Sequence, residues 1–476
     1  MGDFDAVVVG AGPNGLAAAI TMQRAGLRVL LLEAKSTVGG GMRSAELTLP
    51  GFVHDVCSAI HPLGAGSPFF RELPLKDFGL EWIEPPVLAA HPFDDGTAAA
   101  LMSSLEETTA GLGEDREAYA RLYRPLIAAW PKIEREVLGP VLAWPPHPLE
   151  MVKFGVKALL PASALAKRFR GRDARGLLAG MAAHGMQPLT SVATAATALV
   201  LMIAGHRSGW PMARGGSQKI ADALAAYFVS LGGVVETGVA VERLEALPPA
   251  RVTLLDVGPK QLLQIAAGKL SSRYRSQLEK FEYGPGAFKV DWALDGPVPF
   301  ASETCRRAGT VHLGGTFEEI AQSEAEIAAG KHSENPFLLF AQQSLFDATR
   351  APSGRHTAWG YCHVPNGSTV DRIEAIEAQV ERFAPGFRDR ILARHTMNTY
   401  AMQAYNANYV GGDINGGALT LRQIVARPVL LRSPYRTSMD GVYLCSASTP
   451  PGGGVHGMCG FHAARRAMAD CFGISE

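Results

Sequence analysis

The amino-acid sequence predicts an α/β protein. A parallel-stranded domain is assembled from separated stretches, and a mixed α+β second domain fills the gaps between them. Three observations predict this arrangement. The first 33 residues read as strand, glycine turn, helix and strand; a second glycine cluster follows at 39–41; and a strand, a glycine-rich loop and a helix start recur near the C-terminus.

The first strand is expected over residues 4–9 (FDAVVV), an apolar β-branched run of the kind buried on both faces of a parallel sheet. It passes directly into Gly10-Ala11-Gly12-Pro13-Asn14-Gly15, then into a helical pattern over 16–25 that Gly26 ends, then into a second strand over 28–33. A GxGxxG string alone is weak evidence, but as the turn of a βαβ unit it marks a Rossmann-like dinucleotide site. Gly10 permits the tight turn, Gly12 lets the backbone approach a pyrophosphate at the helix N-terminus, and Gly15 allows close helix-to-strand packing. Glu33, with Ala34 beside it, closes the second strand 33 − 15 = 18 positions after Gly15. A carboxylate there accepts hydrogen bonds from both ribose hydroxyls and repels a 2′-phosphate.

The second cluster, Gly39-Gly40-Gly41 followed by Met42 and Arg43, permits the backbone to lie against another part of the same ligand. Residues 441–447 (GVYLCSA) read as a strand, Ser448 to Gly457 as a loop holding Gly453, Gly454, Val455 and His456, and 463–471 as a helix. That order again suits a phosphate or an electron-rich ring edge. A ligand touched by both chain ends is long.

Composition removes several other classes. Lys+Arg 45 against Asp+Glu 45 gives no net charge, so nucleic acid is not expected as a partner. The six cysteines form no CxxC pair and no zinc spacing, and no metal site is expected. Two acids in the opening MGDFD replace the basic start of a signal peptide, so a cytoplasmic location is expected. Residues 176–205 carry no Asp, Glu, Lys or Arg, but Pro188, Gln187 and His184 interrupt the run, which favours two buried helices over a membrane span. The best candidate for a second nucleotide turn, 310–315, lacks a third glycine, and Thr316 with Glu319 reads as a helix capping box.

DAVVVGAGPNGL with Glu33, the VGGGMR segment, and GVYLCSASTPPGGGVHG near the C-terminus resemble the FAD-dependent phytoene desaturase and amine oxidase superfamily, in the branch of the pyridine nucleotide-disulphide oxidoreductase domain-containing protein 2 type. The resemblance implies a discontinuous FAD-binding domain of glutathione reductase type over 1–75, 206–285 and 425–476, with the substrate domain over 76–205 and 286–424. It implies noncovalent FAD contacted by Gly10, Gly12, Pro13, Asn14, Gly15, Glu33, Ala34, Gly40, Gly41, Met42, Arg43, Val241, Ser448, Gly453, Gly454 and Val455. Three departures stand out: the family's GGR is Gly40-Gly41-Met42 with the arginine displaced to Arg43, its THPG is Thr449-Pro450-Pro451-Gly452, and the strands inserted after the adenine-contacting segment shrink to 245–250.

A flavin itself accepts or donates hydride, so no protein nucleophile is needed. His61 and His456 lie in segments that the resemblance puts beside the flavin ring, and either is a candidate to relay a proton or a structural histidine. Ser58, Trp210 and Tyr405 are expected at the substrate cavity. Residues 148–170 interleave apolar residues with Lys153, Lys157, Lys167, Arg168 and Arg170, a pattern that suits either a peripheral membrane contact or a solvated helix face. The expected activity is oxidation, desaturation or its reversal on a hydrophobic small molecule, with the electron acceptor and oligomeric state open. Amine oxidation, and FAD-stabilised binding or chaperoning without turnover, are the alternatives.

Overall fold

The computed structural model describes residues 3–140 and 144–474. The parallel sheet forms from the short β-branched runs: β1 (Ala6–Val9), β2 (Val29–Glu33), β3 (Val234–Thr237), β4 (Val252–Leu255) and β5 (Val442–Leu444). They pair in the order β5-β4-β1-β2-β3, all parallel, with Val8 facing Leu31 on one side and Leu254 on the other. Every residue of β1 and β2 is buried, as strands covered on both faces require. α1 (Pro13–Arg24) starts with Pro13 at its first position, where the missing N–H costs nothing, and joins β1 to β2. Gly10 sits at φ 98°, a left-handed conformation open to glycine, and a Cβ on Gly15 would lie 1.8 Å from the Gly10 carbonyl oxygen. The helix Met458–Phe472 packs on α1 and closes that layer.

The second sheet has seven strands in the order Ile391–Met397, Gly286–Leu294, His356–Val364, Leu338–Ala341, Ala308–Leu313, Val87–Pro92 and Ala98–Leu101. All neighbours run antiparallel except Ala308–Leu313 and Val87–Pro92. The first sheet thus draws on 6–33, 234–255 and 442–444, the second on 87–101 and 286–397. Residues 1, 2, 475 and 476, the outer ends of the expected nucleotide-domain segments, lie outside the described residues.

α2 (Pro148–Ala158), α3 (Arg172–Ala183) and α4 (Thr194–Ser208) build the helical layer on one face of the second sheet: α3 and α4 lie against the strands and α2 packs on α4. The charge-free stretch 176–205 supplies most of α3 and α4, of 12 and 15 residues. At 1.5 Å per residue they reach about 18 and 22 Å, short of the ~30 Å hydrocarbon layer. Among the described residues no helix is long and apolar enough to cross a membrane. The 310–315 segment ends a strand of the second sheet, and Thr316 and Glu319 do form a capping box, with each side chain bonded to the other's backbone N–H.

Candidate active site

The carboxyl ends of β1, β2 and β4 open onto a cavity of about 600 Å³ whose far wall is the second sheet. Ligands of open parallel sheets bind at this end, where helix N-termini present free N–H groups. The cavity has a polar end and an aromatic end.

At the polar end Glu33 is buried. Its Oε2 accepts from the Ala11 N–H at 2.9 Å, while Oε1 accepts from the Lys35 N–H at 2.9 Å and from Arg43 Nη2 at 3.0 Å. An ionised carboxylate offers about four acceptor positions, so about one remains for a ribose hydroxyl rather than the two expected from sequence. Arg43 is not a surface arginine, and it lines the cavity. It lies buried against Glu33 and donates to the Thr37 carbonyl, Nη2 at 2.7 Å, with the Tyr405 ring 5.7 Å away. Tyr405 hydroxyl donates to the Gly40 carbonyl at 2.7 Å, which moves this residue from the expected substrate cavity to the nucleotide end of the same wall. Asn14 lines the cavity at the start of α1, and its Oδ1 is buried without a hydrogen-bond partner. The Gly10, Gly12, Pro13, Ala34, Gly40, Gly41, Val241, Ser448, Gly454 and Val455 positions also line it.

Four expected site residues do not face the cavity. Met42 is fully buried in the core between α1 and the sheet, because an unbranched apolar side chain gains more there than beside a phosphate. Gly15 is shielded by the side chain of Asp256, whose Oδ2 accepts its N–H at 3.0 Å. Gly453 packs on the backbone of Asn415. His456 turns beneath the glycine loop: its Nδ1 accepts the Met458 N–H at 3.0 Å and so caps the C-terminal helix, which leaves it no access to a reacting atom.

His61 does line the cavity, and the hydrogen-bond network around it assigns its tautomer. Ser217 spends its hydroxyl proton on the Ser58 carbonyl, 2.7 Å away, so the 2.8 Å contact between Ser217 Oγ and His61 Nε2 needs the proton on Nε2. The Nδ1 lone pair has no partner. Ser217 is itself held by Asp55, which accepts its N–H at 2.8 Å and pairs with Arg350 Nη2 at 2.7 Å. Burial pulls His61 down to about 4, so the ring is neutral at pH 7 and a weak base. Ser58 lines the wall but directs its hydroxyl to the Gly41 carbonyl.

The aromatic end holds Trp210, Trp359, Tyr361, Leu201, Leu339 and Ile414. Trp210 spends its indole N–H on Thr310 Oγ1 at 2.8 Å. Trp359 and Tyr361 meet edge to face with centroids 5.2 Å apart. His184 also lies here; its Nε2 is 3.0 Å from Nε2 of His312, and burial pulls it down to about 3. The carboxylates lining the cavity are Glu33 and Asp256, both at the nucleotide end. Among the described residues no cluster of metal-ligating side chains exists.

Asp256, Tyr361 and the Asp55–Ser217 support of His61 were not singled out from sequence, and His184 was read only as a break in an apolar run. Asp256 precedes Val257-Gly258-Pro259, and its only local signal is that of a strand-ending turn.

Residues 8–73 match the family model described as an NAD(P)-binding Rossmann-like domain. The chain is 26% identical to pyridine nucleotide-disulfide oxidoreductase domain-containing protein 2 of Rattus norvegicus, over 98% of this chain and 94% of that protein. It is 33% identical to hydroxyneurosporene desaturase of Cereibacter sphaeroides, over 98% of this chain and 97% of that protein. Among solved structures it is similar to putrescine oxidase bound to putrescine, with TM-score 0.62 and 17% identity over 99% of each chain, a likeness of fold.

Proposed function

The chain belongs to the phytoene desaturase-like family of FAD-dependent oxidoreductases, and from this premise we propose that it removes hydrogen from, or returns it to, an uncharged apolar molecule held at the aromatic end of the cavity. The observation that carries this reading is the charge distribution: both lining carboxylates lie at the nucleotide end, and the aromatic end offers no counter-charge to an ammonium group. A charged substrate moved there from water loses its hydration without a partner, whereas an apolar one gains about 25 cal/mol for each Å² buried.

The residues fit noncovalent FAD. Glu33 would hold one ribose hydroxyl, and the backbone at Gly10, Gly12, Gly40 and Gly41 would hold the pyrophosphate. When bound, FAD supplies the hydride acceptor. The protein's part is to hold the substrate between Trp210, Trp359 and Leu339, to exclude water, and to present the His61 Nδ1 lone pair at the wall. Ser217 and Asp55 fix the orientation of His61, whose Nε2 keeps its own proton and whose Nδ1, of low basicity, would hold a substrate proton only until water entering the opened cavity takes it from the same atom.

The outer face of α2 supports delivery from a membrane surface. Leu149, Val152, Val156 and Leu159 are more than half exposed at three- and four-residue spacing, with Trp144 beyond them, while Phe154 points inward. Lys153, Lys157, Lys167 and Arg168 flank this stripe. Such a face suits an anionic bilayer.

One observation favours amine oxidation instead: Trp359 and Tyr361 form an aromatic pair on the cavity wall, a geometry that suits a neutral amine. Anaerobic mixing of the holoprotein with polyene or terpenoid substrates, and separately with primary and secondary amines, decides between them. The proposal requires that the hydrocarbons either bleach the oxidised flavin or reoxidise the reduced one; bleaching by amines alone, with no reoxidation by hydrocarbons, overturns it.

A further inference from the structure

We propose that Asp256 sets the affinity for the dinucleotide by its own protonation: the N-terminal end of α1 accepts a pyrophosphate when Asp256 is a carboxylic acid and resists it when Asp256 is a carboxylate. This inference rests on the assignment of a dinucleotide to the cavity.

The geometry places a negative charge where another must arrive. Asp256 follows β4, and its N–H is bound to the Val9 carbonyl at 2.8 Å, which lays its side chain over the glycine turn. Oδ2 accepts the Gly15 N–H at 3.0 Å, and a Cβ on Gly12 would lie 2.8 Å from the same oxygen. Gly10, Gly12 and Asp256 all wall the cavity. The carboxyl group therefore takes a helix N-terminal donor of the kind a phosphate uses, and it abuts the backbone that the phosphate has to approach. Two like charges this close in a poorly solvated site are not both retained.

The groups facing Asp256 give it little relief. Glu33 approaches from β2, and Arg43 is committed to Glu33. Cys445, just past β5, and Cys459, on the C-terminal helix, face it from the other side, and burial raises both thiols so that they stay neutral. Asn408 donates to the Asp256 backbone carbonyl at 3.0 Å rather than to its carboxylate. Burial, reinforced by the charge of Glu33 and opposed by the Gly15 N–H, brings Asp256 up to about 7. Below that pH the acid form already prevails and affinity is flat. Above it, binding must draw one proton from solvent, and affinity falls up to about tenfold for each pH unit until the bound form also ionises.

The test uses apoprotein titrated with FAD by flavin fluorescence quenching between about pH 6 and about pH 8.5, with calorimetry at the alkaline end in buffers of different ionisation enthalpy. The expected result is a Kd that rises about tenfold or more above neutrality, with uptake approaching one proton per FAD. Asp256→Asn should bind FAD with a flat profile and tighter than the parent at alkaline pH. ADP, which carries the pyrophosphate, should show the parent slope, and adenosine, which lacks it, should not. A flat parent Kd without proton uptake overturns the inference, as does a slope that persists in Asp256→Asn. If that variant does not fold, proton uptake by the parent protein decides alone. Failure of FAD to bind at any pH overturns the cofactor reading instead.

Discussion

Replacing Glu33 with Gln separates the two roles that this carboxylate has in the structure. A glutamine has one acceptor oxygen, so it cannot serve the Ala11 N–H, the Lys35 N–H and Arg43 together as Glu33 does. The ribose bond drops from a charge-assisted one to a neutral one, a loss of about 1 kcal/mol, or about fivefold in Kd for FAD. Arg43, with its side chain 9% exposed, loses its counter-ion. Breaking a buried pair from one side costs about 3 to 5 kcal/mol; the lower end applies here because Arg43 keeps the Thr37 and Gly40 carbonyls. Apoprotein stability should therefore fall by about 3 kcal/mol in urea unfolding, well beyond the loss in FAD binding. The double variant Glu33→Gln with Arg43→Gln should recover most of the stability and none of the affinity. Unchanged FAD affinity in the single variant refutes the placement of the ribose, and unchanged stability refutes the pairing.

The two histidines should part company. His61→Gln is expected to keep FAD and slow anaerobic flavin reduction at least about tenfold, whereas His456→Gln should reduce at the parent rate; equal rates for both variants remove any role for His61 Nδ1. On α2, the paired change Val152→Asp with Val156→Asp should abolish co-sedimentation with phosphatidylserine-containing vesicles while leaving FAD content unchanged. Sedimentation equal to that of the parent protein shows that the exposed stripe is not the membrane face.

The nucleotide end was legible because its determinants are local. Strand, glycine turn, helix and Glu33 fall within one short stretch, and each glycine answers to a contact that only a missing Cβ permits. Asp256 was not legible because its partner, Gly15, is 241 positions away, and a lone aspartate after a strand reads as a turn. Met42 shows the limit of motif transfer: it sits between glycines and an arginine that both reach the cavity wall, yet its apolar side chain takes the core side of the same short helical turn. His456 takes its structural alternative for a related reason. Its position in the glycine loop was right, but ring direction is decided by the helix N–H it caps, which no spacing records. For α2 the pattern was visible and the orientation was not, since only the inward packing of Phe154 tells which apolar residues remain outside.

The proposed joining of a dinucleotide flavin to an apolar chamber in one cavity is open to direct measurement. Its most direct test is to unfold the purified protein in hot acid and identify the released chromophore by absorbance and mass. FAD is expected, released without covalent attachment, in one copy per chain. Release of NAD, or of no nucleotide from protein reconstituted with excess FAD, contradicts it.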